Sequence, residues 1–393
     1  MNFTIIKEDF LKAIQLALKV IDGKHYNDIL SHVLIEANYS QIVFVVSGNT
    51  STQLTQELLN ATVDVPGKTL LPAKQLLEII KFAPPKTKIT VLQEIAKNKA
   101  EFGWYANDQF FNFEIDSKDF YQYPEWIKNE ENLTDAEIKV FHSINAMQLA
   151  DGLNKITPAI AKQDVRWYLQ GSHFVLSDHL IELHGSNGHQ MAVWQQRYAG
   201  ANSLDKNETL EFIADAKIHK CFNAIFGKEQ HPLKLWYQPG YLRFSSNCKT
   251  LESIPLEGKY PTVSRVLPKE KEHCGYVCFD KKQIMSSLEL AIIYSEDKKV
   301  PAVKITVDGK KSMVTLTVYD SKTWDMKPIA DNCQSLEIVV NAKYLLDNIK
   351  QLNHHNQKIY FSFWKAVGCD WVNMVSINQG ESDINYYVMG HRK

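Results

Sequence analysis

Histidine side chains are the first candidates for chemistry in this sequence. His184 and His189 flank the glycine-rich segment 185–188, Gly-Ser-Asn-Gly. Two imidazoles beside such a segment are able to ligate a metal ion or to hold a phosphate. The same residue types are typical of a β-hairpin turn with polar side chains, and we favour that interpretation. Sequence spacing alone assigns no acid–base pair.

The cysteines give little support for a metal site. Cys274 and Cys278, preceded by His273, resemble half of a zinc site, but no second pair follows at the spacing that zinc requires. The pair His354-His355 lies in a polar segment and is interpreted as solvated. Walker, HExxH and GxSxG motifs are absent, so we predict no catalytic residue, no metal and no cofactor.

Composition and charge are those of an ordinary globular protein. The 393 residues are 45% hydrophobic and 23% charged, and 44 basic residues balance 45 acidic ones. This balance argues against tight, charge-driven binding to nucleic acid, although basic residues gathered on one face remain compatible with it. The six scattered cysteines, the acidic residues near the N-terminus and the lack of a long apolar run predict a cytoplasmic protein with free thiols.

Three segments of similar pattern recur along the chain. In each, a short apolar run stops at Pro72, Asp215 or Asn341, and Ala-Lys then begins a helical pattern. Proline, aspartate and asparagine are expected at helix starts. The alanines of the three segments are 143 and 126 residues apart, close to one third of the chain. A period of this length predicts three copies of a domain.

The helices that follow these starts carry lysines on one face. In the first and third copies two lysines lie seven residues apart, and residues at that spacing share a helix face. In the middle copy the lysines lie opposite Ile218, Phe222, Ile225 and Phe226. Each helix alone is consistent with solvated lysines, whereas their recurrence in all three copies favours a shared basic surface. The lysines concerned are Lys74, Lys81, Lys217, Lys220, Lys343 and Lys350.

Helical and strand periodicities together predict an α+β fold. Earlier helices are predicted at 7–20, 144–157 and 281–294, and much of the remainder alternates apolar and polar residues. Asp308-Gly309 between two such runs is a strong hairpin signal. Each copy is therefore two helices against antiparallel sheet. The predicted domains are residues 1–131, 132–272 and 273–393, with boundaries in the polar segments 128–132 and 269–273.

Several motifs resemble one known family, the bacterial DNA polymerase III β subunits or sliding clamps. Residues 163–171 resemble the family's QDVRYYLNG-type segment, and 188–192 resemble its DGHRLA segment. Residues 260–268 resemble FPDYRRVLP, and 387–392 resemble the VVMPMR ending. The opening Met-Asn-Phe-Thr and the Leu-Pro-Ala-Lys helix start match as well. The motifs occur in family order from end to end of the chain.

The resemblance implies a fold and a function. Clamps of this family have three similar domains per chain, and two chains join head to tail as a ring around duplex DNA. The ring has no chemistry of its own. An ATP-driven loader opens and closes it, and it tethers the replicative polymerase, which raises the local polymerase concentration at the primer end. The expected partners are therefore double-stranded DNA, a second copy of the chain, the polymerase and the loader, with no membrane.

The resemblance also implies residues for DNA binding and for ring closure. The family's duplex contacts map onto Lys24, Lys74, Gln163, Trp167 and Tyr168, to which the repeats add the helix lysines. At the dimer interface, Phe111 and Phe113 are expected to face Ile292 and Ile293 of the other chain. The alternative is that these phenylalanines fill the core of their own domain.

A cleft for short partner peptides is the third implied site. Its first subsite maps onto Leu169, Ser186, Gly188, His189, Gln190, Met191, Pro261, Arg265 and Val266. Its second subsite maps onto Asn341, Tyr344, Val372, Met374, Met389, Gly390, His391 and Arg392. An apolar groove with a few polar anchors suits an extended peptide with hydrophobic ends.

The sequence departs from the family pattern in this cleft. Asn187 and Gln190 replace the usual Asp and Arg, and Gly390-His391 replaces Pro-Met. These changes predict altered peptide preference and weaker affinity for the usual motif. Three alternatives stay open: an accessory or mobile-element clamp for a non-standard polymerase, a β-rich enzyme with a site near His184 and His189, and a monomeric binding module that has lost the ring.

Overall fold

The computed structural model describes residues 1–21, 28–94, 98–124, 138–205, 208–318, 322–353, 356–369, 371–380 and 382–391. Lys24, the pair at 354–355, Arg392 and the predicted boundary at 128–132 lie outside these residues. The chain divides into two compact units. The first comprises Met1–Met147, Ala199–Asp205 and Lys220–Pro255, and the second comprises Gln148–Tyr198, Lys206–His219 and Leu256–Lys393.

Seven α-helices occur in the described chain, and the predicted helix positions are confirmed. They are α1 Lys7–Val20, α2 Ala73–Phe82, α3 Ala146–Ile156, α4 Lys217–Phe226, α5 Val263–Val266, α6 Lys281–Tyr294 and α7 Ala342–Gln351. Short 3₁₀ turns lie at Asp28–Ser31, Phe120–Gln122, Thr157–Ala159, Trp167–Gln170 and Glu270–Glu272.

Twenty-six strands make up the rest of the regular structure in the described residues. In unit 1 they are β1 Asn2–Ile6, β2 His32–Ala37, β3 Val43–Gly48, β4 Thr52–Leu58, β5 Thr62–Val65, β6 Gly67–Pro72, β7 Lys88–Gln93, β8 Lys99–Ala106, β9 Gln109–Asp116, β10 Lys139–Ile144, β15 Leu233–Gln238, β16 Tyr241–Ser246 and β17 Lys249–Ser253. In unit 2 they are β11 Gly171–Ser177, β12 Leu180–Ser186, β13 Gln190–Arg197, β14 Leu210–Asp215, β18 His273–Asp280, β19 Ala302–Asp308, β20 Met313–Val318, β21 Lys322–Met326, β22 Ala330–Cys333, β23 Leu336–Asn341, β24 Lys358–Trp364, β25 Met374–Asn378 and β26 Ile384–Met389.

The strands form two antiparallel sheets in each unit. Unit 1 has a five-stranded sheet, β5-β1-β7-β8-β9, and an eight-stranded sheet, β10-β15-β16-β17-β4-β3-β2-β6. Unit 2 has a nine-stranded sheet, β14-β11-β12-β13-β26-β25-β24-β18-β22, and a four-stranded sheet, β21-β20-β19-β23. The hairpin at Asp308-Gly309 is confirmed: Asp308 pairs with Met313 across the β19–β20 connection. An α+β architecture with antiparallel sheets is therefore confirmed.

The strand orders repeat three times. Three sets of strands have the same arrangement: β6-β2-β3-β4, β14-β11-β12-β13 and β23-β19-β20-β21. In each set the strand that comes last in the sequence, β6, β14 or β23, lies at one end of the set. The first is extended by β17, through pairs from Lys249↔Gln56 to Ser253↔Thr52. The second is extended by β26, through pairs from Gln190↔Val388 to Trp194↔Ile384. Among the strands that the structure describes, none extends the third set beyond β21, and none lies beyond β9 in its sheet.

Side-chain hydrogen bonds at the helix ends recur between copies, at the starts of α4 and α7 and after α2 and α7. Asn341 Oδ1 accepts from the backbone N–H groups of Lys343 and Tyr344, and Asp215 Oδ1 accepts from that of Lys217, so both act as N-caps. At the other end, Lys281 Nζ donates to the carbonyl of Leu352 at 2.8 Å after α7. Lys7 Nζ makes the same kind of cap after α2, through Lys81 and Ala83. A cation at a helix C-terminus also interacts favourably with the helix dipole.

Candidate functional site

The turn between β12 and β13 forms one edge of a cleft in unit 2. Asn187 Oδ1 accepts from the backbone N–H groups of His189 (3.0 Å) and Gln190 (3.1 Å), which closes a tight Asx turn. Gly188 has φ +86°, and a Cβ there would lie 2.8 Å from Arg166 Nη2. Glycine is therefore required both for the backbone conformation and for the approach of the arginine. The hairpin interpretation of this segment is confirmed.

Arg166 is held beside this turn by a bidentate ion pair. Its Nε and Nη2 donate to Asp164 Oδ1 and Oδ2 at 3.0 and 2.8 Å. These hydrogen bonds from Arg166 lower the pKa of Asp164 to about 2. Because the planar guanidinium is fixed by the fork geometry, it presents a rigid polar wall at the cleft mouth.

The opposite wall comes from the segment after β17. Tyr260 is buried and stacks on His173, with ring centroids 4.5 Å apart and planes at 12°. This contact fixes Pro261, and the short helix α5 then presents Arg265 and Val266. Leu169, at 1% exposure, packs with Tyr260 in the same small apolar cluster.

These walls enclose a cavity of about 580 Å³. Every position predicted for the first subsite lines it except His189, which is exposed in the turn. Met374 and Met389 from the predicted second subsite line it as well. The sequence prediction missed further lining residues: Arg166, Leu267, Pro268, Lys269, Glu272, Ala366, Asn373 and Tyr387. Arg166 lies inside the recognised 163–171 motif, so the sequence did carry a signal for it.

The other second-subsite positions that the structure describes, Asn341, Tyr344, Val372, Gly390 and His391, lie outside the lining of this cavity. Asn341 is 1% exposed and is used as the cap of α7. The chain after β26 is held by backbone hydrogen bonds, from Gly390 N to Asn373 O (2.9 Å) and from His391 N to Val339 O (2.7 Å). A Cβ at Gly390 would lie 3.0 Å from Ile338 Cγ1, so the glycine permits close packing at this point.

The positions predicted for DNA binding are exposed wherever the structure describes them, apart from the half-buried Tyr168. Lys74 and Lys81 on α2, Lys217 and Lys220 on α4, and Lys343 and Lys350 on α7 all have exposed side chains, while Leu76, Ile80, Ile218, Phe222, Leu345 and Ile349 of the same helices are buried. Lys350 lies 3.6 Å from Glu289 of α6, and Lys217 lies 3.9 Å from Asp215. Gln163 is exposed, Trp167 is 57% exposed, and Tyr168 is half-buried.

An aromatic ladder lies on the edge strand β9. Phe111 and Phe113 are 39% and 36% exposed and stack on the buried Trp104 of β8, with centroids at 6.3 and 5.0 Å. On α6, Ile292 is half-buried and Ile293 is 66% exposed. The phenylalanines therefore contribute one ring face to their own unit and leave the other face open.

The histidines considered as candidates for chemistry are separated by the fold. His184 is 3% exposed, and its Nδ1 lies 3.1 Å from His173 Nδ1, whereas His189 faces solvent. Burial lowers the pKa of His184 to about 3 and also lowers that of His173. All six cysteines are free thiols, and the described residues contain no group of three or more His, Cys, Asp or Glu able to hold a metal.

A third buried histidine gives a pH-dependent stability. His219 bonds Thr157 Oγ1 and Ser172 Oγ at 2.9 and 3.0 Å, and burial lowers its pKa to about 4. The pKa of this histidine in the unfolded chain is about 6.5. Below that pH the imidazole is protonated in the unfolded chain but stays neutral in the folded chain, so stability falls as pH falls. Between about pH 7.5 and about pH 5 we expect His219 to cost about 2 kcal/mol of unfolding free energy.

Urea unfolding at a series of pH values measures this effect. His219→Gln should unfold more easily at neutral pH but show a flatter pH dependence, because the titrating group is gone. His179→Gln, at an exposed position, is the matched control and should keep the wild-type slope. An unchanged slope in His219→Gln would contradict the assignment.

No helix among the described residues is long and apolar enough to cross a membrane.

The repeated helix-on-sheet units and the cleft are similar to those expected of a sliding clamp, and known proteins of that kind match the chain. Residues 1–124 match the family described as DNA polymerase III beta subunit, N-terminal domain. The chain is 24% identical to the beta sliding clamp of Vibrio cholerae over 367 residues, which covers 92% of this chain and 93% of the relative. It is 23% identical to that of Streptococcus pneumoniae, with 93% of each chain covered. The chain is thus similar over nearly its whole length to proteins described as beta sliding clamps.

Solved structures show the same fold. The crystal structure of the DNA polymerase III subunit beta from Pseudomonas aeruginosa superposes with a TM-score of 0.85 at 20% identity, covering all of both chains. A Pseudomonas aeruginosa sliding clamp described as bound to griselimycin gives 0.84 at 20% identity, and the beta subunit from Streptococcus pyogenes gives 0.83 at 20%, each again covering all of both chains.

Proposed function

We propose that this protein is a DNA sliding clamp. Two copies close head to tail into a ring around duplex DNA, and the ring tethers a replicative polymerase without performing chemistry itself. A clamp loader opens the ring, and both partners bind through short peptides. The proposal places the protein in the cytoplasm, where replication takes place, and requires no cofactor, metal or membrane.

The observation that carries this proposal is the pattern of sheet edges. Two of the three equivalent strand sets end in a strand that is extended by the next copy, β4 by β17 and β13 by β26. By the same repeat, β21 should be extended by the strand equivalent to β17 and β26, which is β9. An edge strand with exposed aromatic residues favours pairing with another chain. Pairing β9 of one copy with β21 of the next, twice, closes a ring of two chains.

The helix lysines suit a ring that slides. With 44 basic against 45 acidic residues, the protein lacks the overall charge that would hold it tightly on DNA. Exposed lysines on α2, α4 and α7 supply phosphate contacts that are independent of sequence. Retention on DNA then comes from the closed ring, which encircles the duplex. The lysines need only make weak phosphate contacts that keep the duplex positioned within the ring.

Retention on circular DNA tests the proposal. The protein is loaded on nicked circular DNA with its host loader and ATP and passed over a sizing column before and after linearisation. We expect it to remain on the circle and to be lost from the linear molecule, because a ring slides off free ends. Equal retention on both forms would show ordinary binding instead and would contradict the clamp function.

A charge-reversal variant tests the basic helices in the same assay. Changing Lys74, Lys217 and Lys343 together to Glu takes one lysine from each copy and should reduce loading at low salt at least about tenfold. Lys88, Lys234 and Lys358, exposed lysines on strands, are the matched control because the change in net charge is the same. Equal loading of the two variants would count against a basic DNA-facing surface.

A further inference from the structure

Gln190 lines the cleft but is almost completely buried, at 3% exposure. Its Nε2 donates to the carbonyl of Pro158 at 2.9 Å, and its Oε1 accepts from Asn348 Nδ2 at 3.0 Å. Since a carbonyl only accepts, the bond to Pro158 fixes which end of the amide faces which partner. The side chain therefore offers the cleft no charge, and each of its two polar atoms already has a hydrogen-bond partner within the protein.

Asn348 is an unusual residue at its position in α7. It is 0% exposed, and its neighbours Leu345 and Ile349 belong to the buried apolar face of the helix. Burying an amide there is unfavourable unless it is hydrogen-bonded, and the bond to Gln190 is the one that the structure shows for its Nδ2. Its Oδ1 finds no partner within the described part of the chain. An apolar residue at position 348 would pack better on the buried face of α7. We therefore attribute the asparagine to its hydrogen bond with Gln190.

We propose that Asn348 is a positioning residue that holds Gln190 as a neutral floor of the cleft. The inference rests on the proposed peptide-binding function. A fixed, uncharged floor gives no advantage to a peptide with an acidic side chain at this point. Arginine at position 190 would instead offer a charge-assisted, bidentate partner to a carboxylate. The floor thus leaves selection of the peptide to its apolar side chains, with no preference for a carboxylate at this point.

Fluorescence anisotropy with matched peptides tests the neutral floor. The probes are fluorescein-labelled nine-residue peptides with a hydrophobic C-terminal pair, carrying either Asp or Asn at each other position in turn. For the wild type we expect the Asp and Asn forms to bind within about threefold of each other at the peptide position next to Gln190, which is the position where Gln190→Arg creates a preference. Gln190→Arg should favour Asp at one position by about tenfold. A wild-type preference for Asp, or no change in Gln190→Arg, would overturn the proposal.

A double-mutant cycle tests the role of Asn348. Asn348→Leu removes the donor from Gln190 and should weaken binding about tenfold. In a Gln190→Met background, the same substitution should have no further effect, because the group that Asn348 positions is gone. Equal effects in both backgrounds would show that Asn348 acts only on α7 packing and would refute the inference. Leu346→Met, a buried conservative change on the same helix, is the control and should bind like the wild type.

Failure of the proposed peptide binding and failure of the proposed role of Asn348 would give different results. If the wild type bound none of the peptides, while circular-DNA retention succeeded, the cleft would have no peptide role and the inference would fall with it. If the wild type bound peptides but the cycle were additive, the proposed cleft would stand and only the role of Asn348 would be refuted. Melting temperatures of all variants, measured in parallel, show that each one is folded.

Discussion

Phe111→Glu is expected to convert the protein from a dimer into a folded monomer. Phe111 is 39% exposed and stacks on Trp104, so its outer face is available to a second chain while its inner face is held by its own unit. A carboxylate placed in an apolar interface must be desolvated without a partner, which costs several kcal/mol. We expect each interface to weaken by at least about a hundredfold, which is about 2.7 kcal/mol, and a closed ring contains two such interfaces.

Analytical ultracentrifugation measures the outcome against the chain mass of 45.1 kDa. The wild type should sediment at twice this mass and Phe111→Glu at the single mass, with circular-DNA retention lost as well. Tyr39→Glu, an equivalent change at an exposed aromatic residue away from β9, should remain a dimer. Adding Ile293→Lys to Phe111→Glu should restore part of the dimer through opposite charges. A Phe111→Glu dimer of wild-type strength would refute the β9–β21 ring.

The helices of this fold could be predicted from the sequence because their signals are local. Helix α1 was expected at 7–20 and α6 at 281–294, and both are observed at these positions. The helical spacing of apolar residues such as Phe10, Ile14 and Ala17 can be recognised within a few turns of a single helix. The middle copy was looser in sequence, and α3 begins two residues later than the predicted 144.

The joins between copies could not be predicted, because strand register depends on residues far apart in sequence. Lys249 pairs with Gln56, and Gln190 pairs with Val388, and no local pattern distinguishes these pairings from others. The prediction of three domains at 1–131, 132–272 and 273–393 stays a prediction, since the compact units follow the joined sheets rather than the sequence period.

In the cleft as well, residues within local motifs could be predicted, whereas contacts between residues far apart in the sequence could not. The first-subsite positions came from motifs that resemble a family, and all of them except His189 lie together at one cavity. Glu272 and Ala366 were missed because they reach it from other elements. The substitution at Gln190 was visible in the sequence, but its consequence was not, because its partners Pro158 and Asn348 are distant along the chain.

Deletion of residues 389–393 is expected to abolish binding of the host polymerase peptide while leaving the dimer intact. The deletion removes Met389, a 44% exposed apolar wall of the cavity, and the backbone bond from its N–H to His189 O. It also removes the bonds that tie Gly390 to Asn373 and His391 to Val339. With one wall lost and the turn at His189 released, an apolar peptide end can no longer be enclosed.

We expect the affinity for the peptide to fall at least about a hundredfold, equivalent to about 2.7 kcal/mol. Met389→Ser, which keeps the backbone bonds but removes the apolar wall, should lose about tenfold, in line with the loss of an apolar side chain that a bound peptide would cover. Isothermal titration calorimetry measures both, and sedimentation checks the dimer, whose proposed strands β9 and β21 the deletion does not touch. If the shortened chain bound the peptide as tightly as the full chain, the cleft would have to be placed elsewhere. If it bound neither peptide nor partner copy, the C-terminal strand would be required for folding, and Met389→Ser alone would then decide the assignment.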